Sequence, residues 1–327
     1  MTNSVLTDAE QRSEQFTSVV SALHDGLTSV ITGHGALIDT TIAVLLAQGH
    51  ILIEDVPGVG KTTLAKALGA LIDTKIGRIQ FTPDLLPSDV TGVSIIHDAQ
   101  TPSSFRPGPV FANIVIADEI NRASPKAQSA LLECMAERQV TVDGQTYQLP
   151  NPFLVIATQN PIEMDGTYPL PEAQRDRFMA RLDVGYPSAD AELLMLEQRE
   201  RNDPLDVLVP VTDAATITAL AREVKDVFLA PALKTYLVSL VGATRTHQMV
   251  RVGASPRATL QLARAARALA ATRGRRFVLP DDIQQLASQV LAHRLVMTAQ
   301  SRSEGVTAAD VIAQIIRSVP VPPPAHT

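Results

Sequence analysis

Tryptophan is absent, and aromatic residues make up only 4% of the chain. Stacking platforms for single-stranded nucleic acid are therefore scarce. Cys134 is the sole cysteine, which excludes an intrachain disulfide and favours a reducing, cytoplasmic compartment. No apolar run approaches the ~18 residues that a membrane helix needs, so no membrane insertion is expected. The N-terminus lacks a basic region followed by an apolar stretch, so no signal peptide is indicated. The seven histidines are scattered, without H-E-x-x-H or a Cys/His cluster, which argues against a structural metal. Net charge is -6, and nothing in the overall balance favours nucleic acid.

What is there is ample apolar residue, 45% of 327 positions, enough for a well-buried core and two domains. Residues 12–48 read as helical, broken near 32–35. Four short apolar runs, 50–54, 75–81, 114–117 and 153–157, read as buried strands. Their alternation with helical stretches predicts an α/β fold with a parallel sheet. Residues 141–147 read as a β-hairpin, because Asp143-Gly144 suits a tight type I′ turn. Five prolines crowd residues 82–110, so that stretch is an insertion of short elements and loop rather than one helix. After residue 187 the pattern turns helical: 188–201, 213–225, 230–247, 256–273, 281–298 and 307–318. Asp281, Asp282 and Thr307 suit helix starts. The expected division is an α/β nucleotide-binding core over 1–187, an all-α lid over 188–318 and a Pro-rich tail over 319–327.

The stretch EDVPGVGKTT, residues 54–63, follows a strand and opens a helix, the context that a phosphate-binding loop needs. Gly58 and Gly60 let the backbone approach the phosphates. Backbone N–H groups and the helix N-terminus favour the anion. Lys61 can reach the β- and γ-phosphates, and the Thr62 hydroxyl can ligate Mg²⁺. The whole segment Pro57, Val59 and Thr63 included is the nucleotide-binding candidate. Asp55 stands where the strict motif has glycine, but it removes no phosphate-contacting group. Downstream, the apolar run 114–117 ends in two acids. Asp118 suits a Mg²⁺ ligand, direct or through water. Glu119 suits the general base that polarises the attacking water. Asn160, just past the run 153–157, can orient that water; a plain turn Asn before proline is the competing reading.

With these motifs, the sequence resembles AAA+ ATPases, and within them the MoxR family. The likeness is carried by residues 49–62, 78–89, 105–113, 117–123, 157–161, 168–178 and 253–258. It runs over roughly residues 12–320. The resemblance implies further roles. Asn160 would be sensor 1. Arg177 would be the arginine finger completing a neighbouring subunit's ATP site. Arg257 would be sensor 2, reaching the γ-phosphate of its own subunit. Arg175 stands where the family has a small or apolar residue, which leaves two candidate arginines for the finger. Residues 82–110 resemble the helix-2 insert, and the hairpin resembles the pre-sensor-1 insert. The implied activity is ATP hydrolysis by a hexameric ring that remodels or activates client proteins. A partner carrying a von Willebrand factor A domain would accompany it. The alternative is a nucleic-acid motor related to MCM-type helicases. Its only support is the basic run Arg264, Arg267, Arg273, Arg275 and Arg276, set against a solvated helix face; no nucleic acid is expected. A nucleotide-gated switch with little turnover fits less well, because binding alone needs neither Glu119 nor Asn160.

Overall fold

The computed structural model describes residues 2–54, 61–95, 104–160, 167–186, 188–199 and 203–323, with the backbone alone for 2–13, 61, 198 and 199. The strands are β1 (Ile51–Glu54), β2 (Ile76–Gln80), β3 (Gly92–Ile95), β4 (Ser104–Pro107), β5 (Ile114–Asp118), β6 (Gln139–Val142), β7 (Gln145–Gln148), β8 (Leu154–Gln159), β9 (Ala180–Leu182), β10 (Val250–Val252) and β11 (Val296–Met297). The helices are α1 (Thr2–Val30), α2 (Gly35–Leu46), α3 (Lys61–Ile72), α4 (Pro87–Thr91), α5 (Pro125–Glu137), α6 (Glu172–Arg175) and α7 (Ala189–Arg199). They continue with α8 (Ala214–Glu223), α9 (Pro231–Thr246), α10 (Pro256–Thr272), α11 (Pro280–Leu291), α12 (Ala299–Ser303) and α13 (Ala308–Ser318).

Five strands form one parallel sheet in the order β2-β5-β8-β1-β9. The central strands β1, β5 and β8 are buried on both faces, and period two sends their residues to two cores. Ile51, Ile53, Ile114, Ile116 and Ile156 join the core shared with α1, α2 and α3. Leu52, Val115, Ala117 and Val155 join the core under α5. The first core continues without a break into the helices from α8 onward, so the helical part and the sheet share one apolar interior. The expected four strands are present. The fifth, β9, is three residues long and carries no turn signal, so periodicity does not reveal it.

At the edge, β2 alternates exposed and buried residues, which sets Arg78 and Gln80 on one outward face. Between β2 and β5 the insertion folds as α4 and the antiparallel pair β3–β4. Gly92 has φ 98, and a Cβ there would meet Arg106 O at 2.3 Å, so glycine is required. The expected hairpin is β6–β7, and Asp143 and Gly144 both have positive φ, as a type I′ turn demands. Phe105 of β4 stacks on Tyr147 of β7 with centroids 4.1 Å apart, which ties the insertion to the hairpin.

One expected helix is shorter than its pattern. The stretch 281–298 is helical only to Leu291; Ala292–Arg294 is a 3-10 turn, and β11 then pairs with β10. His293 and Arg294 turn inward there to meet Phe178 O, a tertiary contact that overrides helical propensity.

Candidate active site

In an open parallel sheet, ligands bind beyond the carboxyl ends of the strands. Here β1 ends at Glu54, β5 at Asp118 and β8 at Gln159, side by side. The loop candidates Pro57, Gly58, Val59 and Gly60 lie outside the described residues, as does Asp55. Lys61 opens α3, and Thr62 and Thr63 follow in its first turn.

Asp118 ends a fully buried strand, and its side chain is 8% exposed. Its Oδ1 lies 3.4 Å from both the Thr62 and the Thr158 hydroxyls, each positioned to donate. Its Oδ2 accepts from Arg78 Nε at 2.9 Å. Thr62 and Asp118 thus face each other as two hard oxygen donors, the type that Mg²⁺ takes. They fit that ion.

Glu119 adopts the left-handed conformation, φ 57 and ψ 49. For a non-glycine residue this costs about 1–2 kcal/mol. Its backbone N–H donates to Thr158 Oγ1 at 3.0 Å, which holds the turn. Its Oε2 accepts from Gln80 Nε2 at 3.2 Å and Arg122 Nη1 at 2.9 Å. Asn160 is buried just past β8, and its carbonyl accepts from Asn121 Nδ2. The structure therefore brings Thr62, Asp118, Glu119 and Asn160 to one edge of the sheet.

The arginines are elsewhere. Arg177 precedes β9, whose first residues are anchored by Met179 N and Ala180 N donating to His50 O, ahead of β1. That is the amino edge of the sheet, about 13 Å from its carboxyl edge at ~3.3 Å per residue of β1. Arg177 Nη1 donates to Leu132 O at 2.5 Å. Arg257 lies in the first turn of α10, whose N-cap Ser255 donates to Oδ2 of Asp176 at 3.0 Å, and Asp176 is one residue before Arg177 in the chain. Arg138, Arg257 and Arg264 also act electrostatically on His50. Burial pushes the His50 imidazole down to about 3, and these cations push the same way. The Met135 carbonyl opposes them, accepting from the ring, while Nδ1 accepts from Val155 N. The expectation from the sequence is that Arg257 reaches the γ-phosphate of its own chain; the helix turn that carries it adjoins Asp176. Sequence spacing holds no information about which sheet edge a lid helix meets.

Reading the sequence missed Thr158, Arg78, Gln80 and Asn121. Strand alternation offered a signal for two of them, since Arg78 and Gln80 share the outer face of β2. Thr158 had none, because a threonine inside an apolar strand reads as ordinary core.

The basic run is largely engaged within the chain. Arg264 donates to the carbonyls of Ala47 and Gln48. Arg273 and Arg275 both bind the fully buried Asp282, which also accepts from Leu279 N at the start of α11.

A parallel sheet in this order, with paired acids at its carboxyl edge and a helical lid behind, is the framework of an AAA-type ATPase. Residues 50–180 match the ATPase family associated with various cellular activities (AAA), and residues 242–315 match the AAA lid domain. The chain is 49% identical to the uncharacterised protein YeaC of Bacillus subtilis, over 90% of this chain and 92% of that one. It is 41% identical to Chaperone MoxR1 of Mycobacterium tuberculosis, over 90% and 80%. Protein MoxR of Paracoccus denitrificans is 32% identical, over 90% and 94%. A crystal structure of a candidate ATPase from Cytophaga hutchinsonii superposes with a TM-score of 0.90 at 37% identity, covering 97% of this chain and 99% of that one. The chain belongs to the MoxR family of AAA+ ATPases, and its activity is ATP hydrolysis. No helix among the described residues is long and apolar enough to cross a membrane.

Proposed function

We propose that this ATPase works as a cytoplasmic ring of identical subunits, a hexamer, that remodels or activates client proteins with a von Willebrand factor A domain partner. The observation that carries the ring is the split site. Asp118 and Glu119 stand at the carboxyl edge of the sheet, while Arg177 and the first turn of α10, which carries Arg257, adjoin the amino end of β9. In this reading one chain supplies acids to one site and cations to another. A neighbouring copy, turned to bring its amino edge against this carboxyl edge, completes the set.

In that reading the loop Pro57–Thr63 binds the nucleotide, with Lys61 on the outer phosphates. Thr62 and Asp118 hold Mg²⁺, which when bound neutralises phosphate charge. Glu119 takes the proton of the attacking water, and Asn160 orients it. Arg177 and Arg257 of the neighbour meet the charge that develops on the γ-phosphate; a trans arginine contributes roughly 10³–10⁵ in rate in other P-loop enzymes. The catalytic core spans 1–187 and the lid 188–318, followed by the tail. The stacked insertion and hairpin form the client-facing body. The name of the Mycobacterium tuberculosis relative supports the chaperone role. Arg264, Arg273 and Arg275, three of the five arginines behind the nucleic-acid alternative, are engaged within the chain, which speaks against that reading.

The test is Glu119→Gln. The variant binds ATP, hydrolyses it at least about a hundredfold more slowly, and accumulates as a ring whose mass and bound proteins are measured after capture. Wild-type turnover would move the base elsewhere. A monomer mass with ATP bound would sink the ring.

A further inference from the structure

Lid and core meet through a buried polar joint. Ser255 is the N-cap residue of α10, φ -75 and ψ 167, yet its side chain caps no N–H of that helix. A serine there ordinarily turns its oxygen to the helix's own N–H groups. Here the hydroxyl instead donates across the junction to Asp176 Oδ2 at 3.0 Å. Asp176 closes α6, between Arg175 and Arg177 in the chain. Its Oδ1 lies 3.1 Å from Nη1 of Arg294, whose side chain is 2% exposed. Arg294 Nη2 donates in turn to Phe178 O at 2.6 Å and to Gln261 Oε1. Helix α10 is therefore tied to the core at Ser255 directly and at Gln261 through Arg294. Just upstream, Ala254 is fixed to α9: its N–H donates to Thr244 Oγ1 and its carbonyl accepts from Arg245 Nε. The first turn of α10 thus has one side set by the lid and the other by Asp176.

We propose that Asp176 is a positioning residue for ATP hydrolysis, holding Ser255 so that Arg257 is presented from the same rigid joint as Arg177. The proposal rests on the reading that both arginines serve the neighbouring subunit's site. Arg257 lies two residues past Ser255, and Arg177 lies one past Asp176. A single carboxylate thereby sets the spacing of two cations whose mutual repulsion favours separation. A buried arginine without its acid is costly, which keeps Asp176 in place even when the lid carries load. A displaced lid would withdraw Arg257 alone, since Arg177 is held to the core by the Leu132 carbonyl.

The experiment is a double-mutant cycle on Ser255 and Arg257, with Asp176→Asn beside it. Asp176→Asn can fail to fold because Arg294 loses its counter-charge; Ser255→Ala leaves that pair intact and keeps the proposal testable. Ser255→Ala is expected to melt within a few degrees of the parent and to keep its KM for ATP. Its kcat falls about tenfold, the scale of one lost hydrogen bond to a charged group. Ser255→Thr, which keeps the hydroxyl, restores turnover. Added to Arg257→Ala, Ser255→Ala costs no more than about a further twofold, because its effect runs through Arg257. A Ser255→Ala kcat near wild type, while Arg257→Ala is impaired, overturns the proposal and leaves the trans reading standing. A full tenfold loss in the Arg257→Ala background also overturns it, since Ser255 would then act elsewhere. Wild-type turnover by Arg257→Ala itself overturns the trans reading of that arginine, and the proposal with it.

Discussion

Replacing Thr158 with valine keeps the shape of a buried residue and removes one hydroxyl. That hydroxyl accepts from Glu119 N–H at 3.0 Å and lies 3.4 Å from Asp118 Oδ1. The longer contact contributes little. The shorter one leaves a part-buried N–H unpaired, at about 1–3 kcal/mol. Glu119 also sits in a left-handed conformation that costs about 1–2 kcal/mol and holds only while its surroundings require it. The unpaired N–H dominates and relief of the strain offsets part of it, which gives a stability loss of at most about 2 kcal/mol, read as a fall in Tm of no more than roughly 4 °C. The larger effect is on chemistry. Without the bond, Glu119 relaxes toward ordinary backbone angles and its carboxylate leaves the line of attack. A misplacement of ~1 Å costs about a hundredfold, so kcat falls between about tenfold and a hundredfold. KM for ATP should change far less, because the lost bond holds Glu119, which acts on the attacking water rather than on the nucleotide. Steady-state ATPase assays with a thermal melt measure both quantities, and Thr158→Ser should recover most of each. A valine variant with kcat within about twofold of wild type would refute the reasoning, whatever its Tm.

Arg177→Ala should bind ATP without hydrolysing it, and Lys61→Ala should bind no ATP; mixing the two should recover activity that neither has alone, measured as phosphate release against mixing ratio. No recovery at any ratio would place Arg177 in its own chain's site or leave the role to Arg175. Stability should also depend on pH. The unfolded chain protonates its histidines near 6.5, whereas burial holds the folded His50 down at about 3 and lowers His293 as well. Below about 6.5 the unfolded state binds more protons, so stability falls as pH falls, by up to about 1.4 kcal/mol per pH unit for each group. Urea midpoints between pH 7.5 and 5 test this, and His50→Gln should flatten the slope; an unchanged slope would rule out His50 as a source.

Much of the active centre was legible because the chemistry is local in the chain. A strand, a glycine-bearing loop and a helix follow one another over residues 50–72, so the phosphate loop is a contiguous pattern. Asp118 and Glu119 end an apolar run, and a buried parallel strand has to carry such a run. The hairpin was legible because Asp143-Gly144 matches the backbone angles that its turn requires. The sequence by itself thus determined the α/β core and the helical lid, and it marked Asp118 and Glu119 at the end of a buried strand. Only the tertiary structure decided the rest. Strand β9 is too short to show a period, and its place beside β1 comes from long-range pairing. The position of Arg257 depends on how α10 docks, which is set by Asp176, Arg294 and Gln261 across the junction. The 3-10 turn that ends α11 exists because His293 and Arg294 find Phe178 O there. Spacing along a chain records which residues share a face of one element. It does not record which edge of the sheet that element meets, because packing between elements distant in sequence makes that choice.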